Sequence, residues 1–149
     1  MKKAIVLLIC FASCVFLFGQ SDTEEYRDMG GTVVIPNNII ELEDGAFSGN
    51  RNIVVVNIPA GVTRIGAGAF RGCERLTAVT MMSGVSIIGE YAFASCKSLT
   101  AIIIPVSVTD IGTGAFSGCA TLRSVIMSRK TRLAPDVFKG APVNILYID

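Results

Sequence analysis

The sequence predicts an α/β solenoid of about five 23-residue repeats, with parallel β-strands on one face and short helical turns on the other. Two observations carry this reading. A phrase centred on phenylalanine recurs as Gly45-Ala-Phe-Ser-Gly-Asn, Gly68-Ala-Phe-Arg-Gly-Cys, Tyr91-Ala-Phe-Ala-Ser-Cys, Gly114-Ala-Phe-Ser-Gly-Cys and Asp136-Val-Phe-Lys-Gly-Ala. The phenylalanines stand at 47, 70, 93, 116 and 138, a spacing of 23, 23, 23 and 22. Between them runs an alternating apolar pattern suited to a strand with one buried face. A fixed period in the twenties means that each unit buries its apolar side only against its neighbours.

The chain begins with Met-Lys-Lys, continues through an apolar stretch from Ala4 to Phe18 and turns polar at Gln20. A basic start, a short apolar core and a polar exit predict a secretory signal peptide over residues 1–20. The 15 residues from Ala4 to Phe18 fall short of the roughly 20 a spanning helix needs, so no transmembrane segment is expected in the mature chain. Small residues near Gly19 and Ser21 suit an ordinary signal peptidase. The alternative is lipidation: Phe11-Ala-Ser-Cys14 resembles a loose lipobox, which would leave Cys14 as a lipid-anchored N-terminus. Residues 21–31 are polar, end in Gly30-Gly31 and read as a flexible leader, and residues 32–149 form the solenoid.

The first strand position repeats as Val56, Val79, Ile102, Val125 and Leu146, the second as Ile58, Met81, Ile104, Met127 and Ile148. Ile53, Leu76, Leu99, Leu122 and Val143 precede them by three residues, and all three columns are expected to point inward. Pro36, Pro59 and Pro105 close three strands, where a missing N–H costs the ladder nothing.

The other half of each unit supplies Ile39, Val62, Val85 and Val108, then Leu42, Ile65, Ile88, Ile111 and Leu133, then the phenylalanines. Their spacing of three to five residues, among alanines and glycines, predicts one or two helical turns. At a rung separation of about 4.8 Å the phenylalanines should stack into a spine. Gly66, Gly89 and Gly112 follow the isoleucine, but Glu43 and Ala134 share that slot. Close packing between turns, rather than a left-handed backbone, therefore accounts for them.

The unit Leu99-Thr-Ala-Ile-Ile-Ile-Pro-Val-Ser-Val-Thr-Asp-Ile-Gly-Thr-Gly-Ala-Phe-Ser-Gly-Cys-Ala-Thr-Leu122 resembles the BspA-like, Treponema-type leucine-rich repeat family. Period, proline, Ile-Gly, Ala-Phe and cysteine coincide over residues 32–149. The resemblance implies a curved solenoid and an exported surface or secreted protein with an adhesive role. Its partner would be another protein, including a host extracellular-matrix component. Two units depart from the pattern: Asn50 replaces the cysteine of the first, and the last carries Lys130 in place of the valine and is two residues shorter.

Cys73, Cys96 and Cys119 form one column. Their rung spacing lies within disulfide range, but stacked residues direct their Cβ atoms the same way, so free, buried thiols are expected. No spacing suits a metal site, and no cofactor motif is present: the recurring Gly-x-Gly lacks the third glycine of a nucleotide loop. The chain has no histidine to serve as a base, and its carboxylates are not paired by the repeat, so no catalytic residue is assigned and no enzymatic activity is expected. Without an aromatic-interleaved basic run, no nucleic-acid partner is expected either.

Charge divides along the chain. Residues 21–50 hold seven acids and one base, whereas residues 51–149 hold ten bases and five acids. The expected partner site is the outward strand face toward the C-terminal end, where Ile103, Ile126, Ile145 and Tyr147 form an apolar patch rimmed by Arg123, Arg129, Lys130 and Arg132. The final strand, Asn144-Ile-Leu-Tyr-Ile-Asp149, has an edge open to a second copy, which predicts a homodimer. A periplasmic or envelope-associated structural protein that self-associates, lipid-anchored where Cys14 is modified, is the second reading of the same features.

Overall fold

The computed structural model describes residues 27–28 and 31–148. The signal-peptide and Cys14 readings lie outside the described residues. In chain order the strands are β1 (Arg27–Asp28), β2 (Thr32–Val34), β3 (Glu41–Leu42), β4 (Val55–Ile58), β5 (Arg64–Ile65) and β6 (Ala78–Met81). They continue as β7 (Ile87–Ile88), β8 (Ala101–Ile103), β9 (Asp110–Ile111), β10 (Ser124–Ser128), β11 (Arg132–Leu133) and β12 (Asn144–Ile148). Each rung contributes one longer strand, one two-residue strand and one phenylalanine turn. β2, β3 and Phe47 begin the series, and β12 opens a sixth rung.

The longer strands pair in parallel, β2–β4–β6 and β8–β10–β12, with no ladder between β6 and β8. The short strands form a second, unbroken parallel sheet, β3–β5–β7–β9–β11. Leu42, Ile65, Ile88 and Ile111, expected on helical turns, are the buried residues of this second sheet. Leu133 holds the matching position on the fifth rung but remains exposed.

The phenylalanine turns are not helical either, and no helix occurs among the described residues. Their N–H groups alternate between two kinds of partner. Ala46 and Ser48 N–H return three residues, to Glu43 and Gly45 O, whereas Gly45, Phe47 and Gly49 N–H donate to Ala67, Ala69 and Arg71 O on the next rung at 2.7–2.8 Å. A left-handed residue two places before and two places after each phenylalanine produces this alternation: Gly45 and Gly49, Gly68 and Gly72, Tyr91 and Ser95, Gly114 and Gly118, Asp136 and Gly140. A helix would have sent every N–H back along its own chain. Here alternate N–H groups form a third rung-to-rung ladder.

These three ladders enclose one apolar core. The rings of Phe47, Phe70, Phe93, Phe116 and Phe138 stack with centroids 5.0, 5.2, 5.3 and 5.6 Å apart. Gly66, Gly89 and Gly112 have ordinary negative φ, and a Cβ on any of them would lie 2.6–2.7 Å from backbone atoms of the preceding rung. Close packing between turns is therefore their reason. At the first rung, β1 pairs antiparallel with β2 through Arg27–Val34 and Asp28–Val33. Residues 27 and 28 thus cover the first edge of the strand sheet.

Candidate protein-binding face

Alternate residues of the longer strands point away from the core. The row nearest the middle of the strand runs Val34, Asn57, Thr80, Ile103, Ile126, and the ladder of β10 with β12 continues it through Leu146, not Tyr147. Val125 pairs with Ile145 and Met127 with Tyr147, so Ile145 and Tyr147 belong to the core-side columns. Leu146 and Ile148, expected inward, point outward. The cause is a two-residue shortening between Phe138 and the strand: β12 starts 20 residues after its partner position Ser124 although Phe138 follows Phe116 by 22. A strand shifted by one residue exchanges its two faces.

The apolar row is therefore Ile103, Ile126 and Leu146 on three adjacent strands. Ile103 is 61% exposed and Leu146 60%, with Ile126 half-buried between them. Cross-strand neighbours lie about 4.8 Å apart, so the three side chains form one continuous ridge. Val106, on the turn after β8, and Ile148 add exposed apolar surface.

The basic rim is only partly on this face. Arg123 immediately precedes β10, and its backbone carbonyl accepts from Asn144 N–H (2.7 Å). Arg129 and Lys130 occupy the corner after β10, with the Arg129 guanidinium 4.9 Å from the centre of the Tyr147 ring. Arg132 does not join them: it lies on β11 in the second sheet and contacts Asp110 at 2.7 Å. That guanidinium, helped by the Thr109 hydroxyl, holds the Asp110 carboxyl below its ordinary value. The valine slot of this rung is filled by Thr131, not Lys130. Thr131 is buried, its N–H donates to Ser128 O as Val108 N–H does to Pro105 O, and its hydroxyl donates to Val108 O.

Over the second sheet lies an open groove of about 630 Å³, floored by Gly89 and Gly112 and flanked by Arg64, Glu90, Asp110 and Arg132. Ion pairs with Asp44 and Asp110 neutralise its two arginines. The cysteine column faces the core. Cys73, Cys96 and Cys119 are free and fully buried, and their thiols donate to Phe47, Phe70 and Phe93 O at 3.1–3.2 Å. Burial pushes Cys73 and Cys119 up to about 11 and raises Cys96 as well. Such thiols are poor nucleophiles and act as packing groups. Among the described residues no cluster of three His, Cys, Asp or Glu could hold a metal ion, and no helix is long and apolar enough to cross a membrane.

This architecture is shared with known proteins. The chain is similar to the crystal structure of a leucine rich repeat protein of T. pallidum, with 32% identity and a TM-score of 0.73, covering 76% of this chain and 56% of that one. It is similar to a leucine rich cell surface protein of Faecalibacterium prausnitzii A2-165, with 29% identity and a TM-score of 0.73, covering 78% of this chain and 31% of that one. The pneumococcal vaccine antigen PcpA shares the fold, with 18% identity, a TM-score of 0.65 and coverage of 76% and 31%. The chain thus spans about half of the first of these structures and about a third of the other two. No protein of curated function matches it. A family model describing a BspA type leucine rich repeat region of 6 copies matches residues 30–144. With its ladders, phenylalanine spine and repeat phrase, the chain belongs to the BspA-type leucine-rich repeat family.

Proposed function

We propose that the chain is an exported, non-enzymatic protein-binding module, working at the cell surface or after secretion, that engages its partner through the outer strand face. The apolar row Ile103–Ile126–Leu146 carries this reading. Contiguous exposed apolar side chains on a water-facing sheet are costly to display and usually mark an interaction site. Arg123 and Arg129 lie at the two ends of β10, and Lys130 follows, so a partner with an apolar ridge and acidic margins fits best. Export is supported by the sequence of residues 1–20 and by the cell-surface description of the F. prausnitzii relative. Adhesion to a host extracellular-matrix protein is the form of binding the family resemblance suggests.

The test is Ile103→Ser combined with Ile126→Ser. Partner capture by the mature protein should fall while the circular-dichroism spectrum stays folded. Unchanged capture by the folded double mutant overturns the assignment.

A second reading has its own observation. The outer edge of β12 carries no ladder partner among the described residues, and it displays Leu146 and Ile148. An unpaired edge strand recruits a second copy, which fits an envelope-associated protein that self-associates, anchored through a lipidated Cys14. Mass spectrometry of the mature N-terminus separates the two: diacylglyceryl-Cys14 supports the anchored form, and cleavage near Gly19 or Ser21 removes it. Sedimentation at high concentration reads the homodimer directly.

A further inference from the structure

The strand sheet breaks once, between the third and fourth rungs. Thr77 N–H donates to Val54 O (2.8 Å) and Arg123 N–H to Thr100 O (2.9 Å), but no corresponding bond runs from Thr100 to Thr77. The core-side residues at the break are also the least well covered of their columns up to the fifth rung. Val79 and Met81 are 9% and 8% exposed, against 2% or less for Val56, Ile58, Ile102 and Ile104. The other two sides of the same junction stay bonded. β7 pairs with β9, and Tyr91, Phe93 and Ser95 N–H donate to Thr113, Ala115 and Ser117 O at 2.8–2.9 Å.

The corner after β6 supplies a cause. Elsewhere an N–H returns three residues to the corner column held by proline on three rungs and by Ser128 on the fifth: Ile39 to Pro36 O, Val62 to Pro59 O, Val108 to Pro105 O and Thr131 to Ser128 O. After β6, Gly84 N–H closes on Met82 O instead, only two residues back, which makes a tighter γ-turn. Met82 stands where the first, second and fourth rungs carry Pro36, Pro59 and Pro105. It therefore has an N–H, which it donates to Ile58 O (3.0 Å). Gly84 tucks against the Ala60 carbonyl, where any Cβ would collide. Both contacts draw the end of β6 toward β4, and that ladder runs to the Ile58–Met81 pair at the end of both strands. On the far side, Pro105 has no N–H to offer Met81 O.

We propose that this gap is a hinge built into the solenoid. The strand face opens between β6 and β8, pivoting on the second sheet and the phenylalanine turns, and exposes Val79 and Met81 to solvent or to an incoming apolar side chain. Met82, Ile103 and Val106, all exposed, form its lips. The Met82–Gly84 corner sets its position. The rungs before and after it move as two blocks.

Amide hydrogen exchange on the folded mature protein tests the opening. Val79, Met81, Ala101 and Ile103 should exchange roughly tenfold or more faster than Val56, Ile58, Ile102 and Ile104, since no ladder bond across the gap has to break before they exchange. Equal protection in the two sets overturns the hinge. Peroxide labelling gives a second readout. Met81 should oxidise at a rate between that of exposed Met82 and that of fully buried Met127, and a Met81 as inert as Met127 counts against opening. Met82→Pro removes the bond to Ile58 and restores the corner of the neighbouring rungs. It should raise protection at Ala101 and Ile103, and a folded Met82→Pro with no such rise overturns the role of the corner. Should that variant not fold, the two wild-type measurements decide.

Discussion

Ile126 lies directly opposite Leu146 across the β10–β12 ladder, so the outward apolar row reaches the last strand while Tyr147 stands beside Met127 on the core side. This register makes a sharp prediction. Leu146→Ser should change stability by no more than about 0.5 kcal/mol, as surface substitutions usually do. Ile145→Ser, which removes a half-buried residue packed against the core, should cost about 1–2 kcal/mol. Urea denaturation of the two variants checks it, and the reverse order would restore the other register.

The phenylalanine spine predicts a position-dependent cost. Phe93 is completely buried between Phe70 and Phe116, whereas Phe138 is half-buried and has a stacking neighbour on one side among the described residues. Phe93→Ala should cost about 3–5 kcal/mol, and Phe138→Ala clearly less. Equal shifts in denaturation midpoint would contradict a stack that shares its load between neighbours.

Two groups of glycine should respond differently to alanine. In Gly89→Ala the new methyl would lie 2.7 Å from Ala67 N and Gly66 C, atoms of a backbone that cannot move aside, so a loss of about 3 kcal/mol or no folding at all is expected. Gly49→Ala meets no atom within 4 Å and bears only the cost of a left-handed backbone, about 1–2 kcal/mol. Thermal melts of both variants would show the difference.

Ser95 holds φ at +59° in a column otherwise occupied by Gly49, Gly72, Gly118 and Gly140. Ser95→Gly relieves the left-handed strain of about 1–2 kcal/mol and loses part of it to a freer unfolded chain. A net gain of up to about 1 kcal/mol, seen as a rise of a few degrees in Tm, is the expected result. A lower Tm would show that the serine side chain has a role in the turn.

The thiol column predicts alkaline sensitivity. Folding raises Cys73 and Cys119 from 9.0 to about 11, so the folded state holds protons that the unfolded state releases. Their contribution is fully present below pH 9 and is lost as pH rises through 11. Stability should fall across that window by an amount on the order of a few kcal/mol. Replacing all three thiols, as Cys73→Ala/Cys96→Ala/Cys119→Ala, should remove most of the dependence, since burial raises Cys96 as well. A thiol reagent at pH 8 should leave Cys73, Cys96 and Cys119 unmodified in the folded protein and label all three in denaturant.

The repeat made most of the core legible. Val56, Ile65, Phe70 and Leu76 recur at fixed offsets, so alternation within a strand and repetition between rungs place them without further information. Gly66, Gly89 and Gly112 could be assigned to close packing because Glu43 and Ala134 share their slot. The turns were less legible, since a three-to-five-residue spacing of Ile65, Ala69 and Phe70 fits a helix and a pair of short strands alike. The distinguishing signal was the pair of left-handed positions around each phenylalanine, glycine at seven of ten and Tyr91, Ser95 and Asp136 at the others, which divides backbone bonding between two rungs. The last rung misled for a simpler reason. Its shortening falls between Ala141 and Asn144, and placing it one residue short reversed Leu146 and Tyr147. The break after β6 had a visible sign in Met82, which interrupts a column of prolines, but the loss of a ladder cannot be read from one missing ring.

The alternating bonds of the phenylalanine turns have a consequence for how such a chain can change length. Gly45, Phe47 and Gly49 address the rung ahead through main-chain atoms alone, and Gly68, Phe70 and Gly72 repeat the same address one turn later. The junction therefore does not depend on which rung it joins. Excision of one complete 23-residue period from the middle of the stack would bring together surfaces already shaped for each other, whereas a period changed by one residue has to absorb the difference at a corner, as the 22-residue interval from Phe116 to Phe138 does before its turn regains register. Whole turns are thus the natural unit of insertion and loss in this sequence.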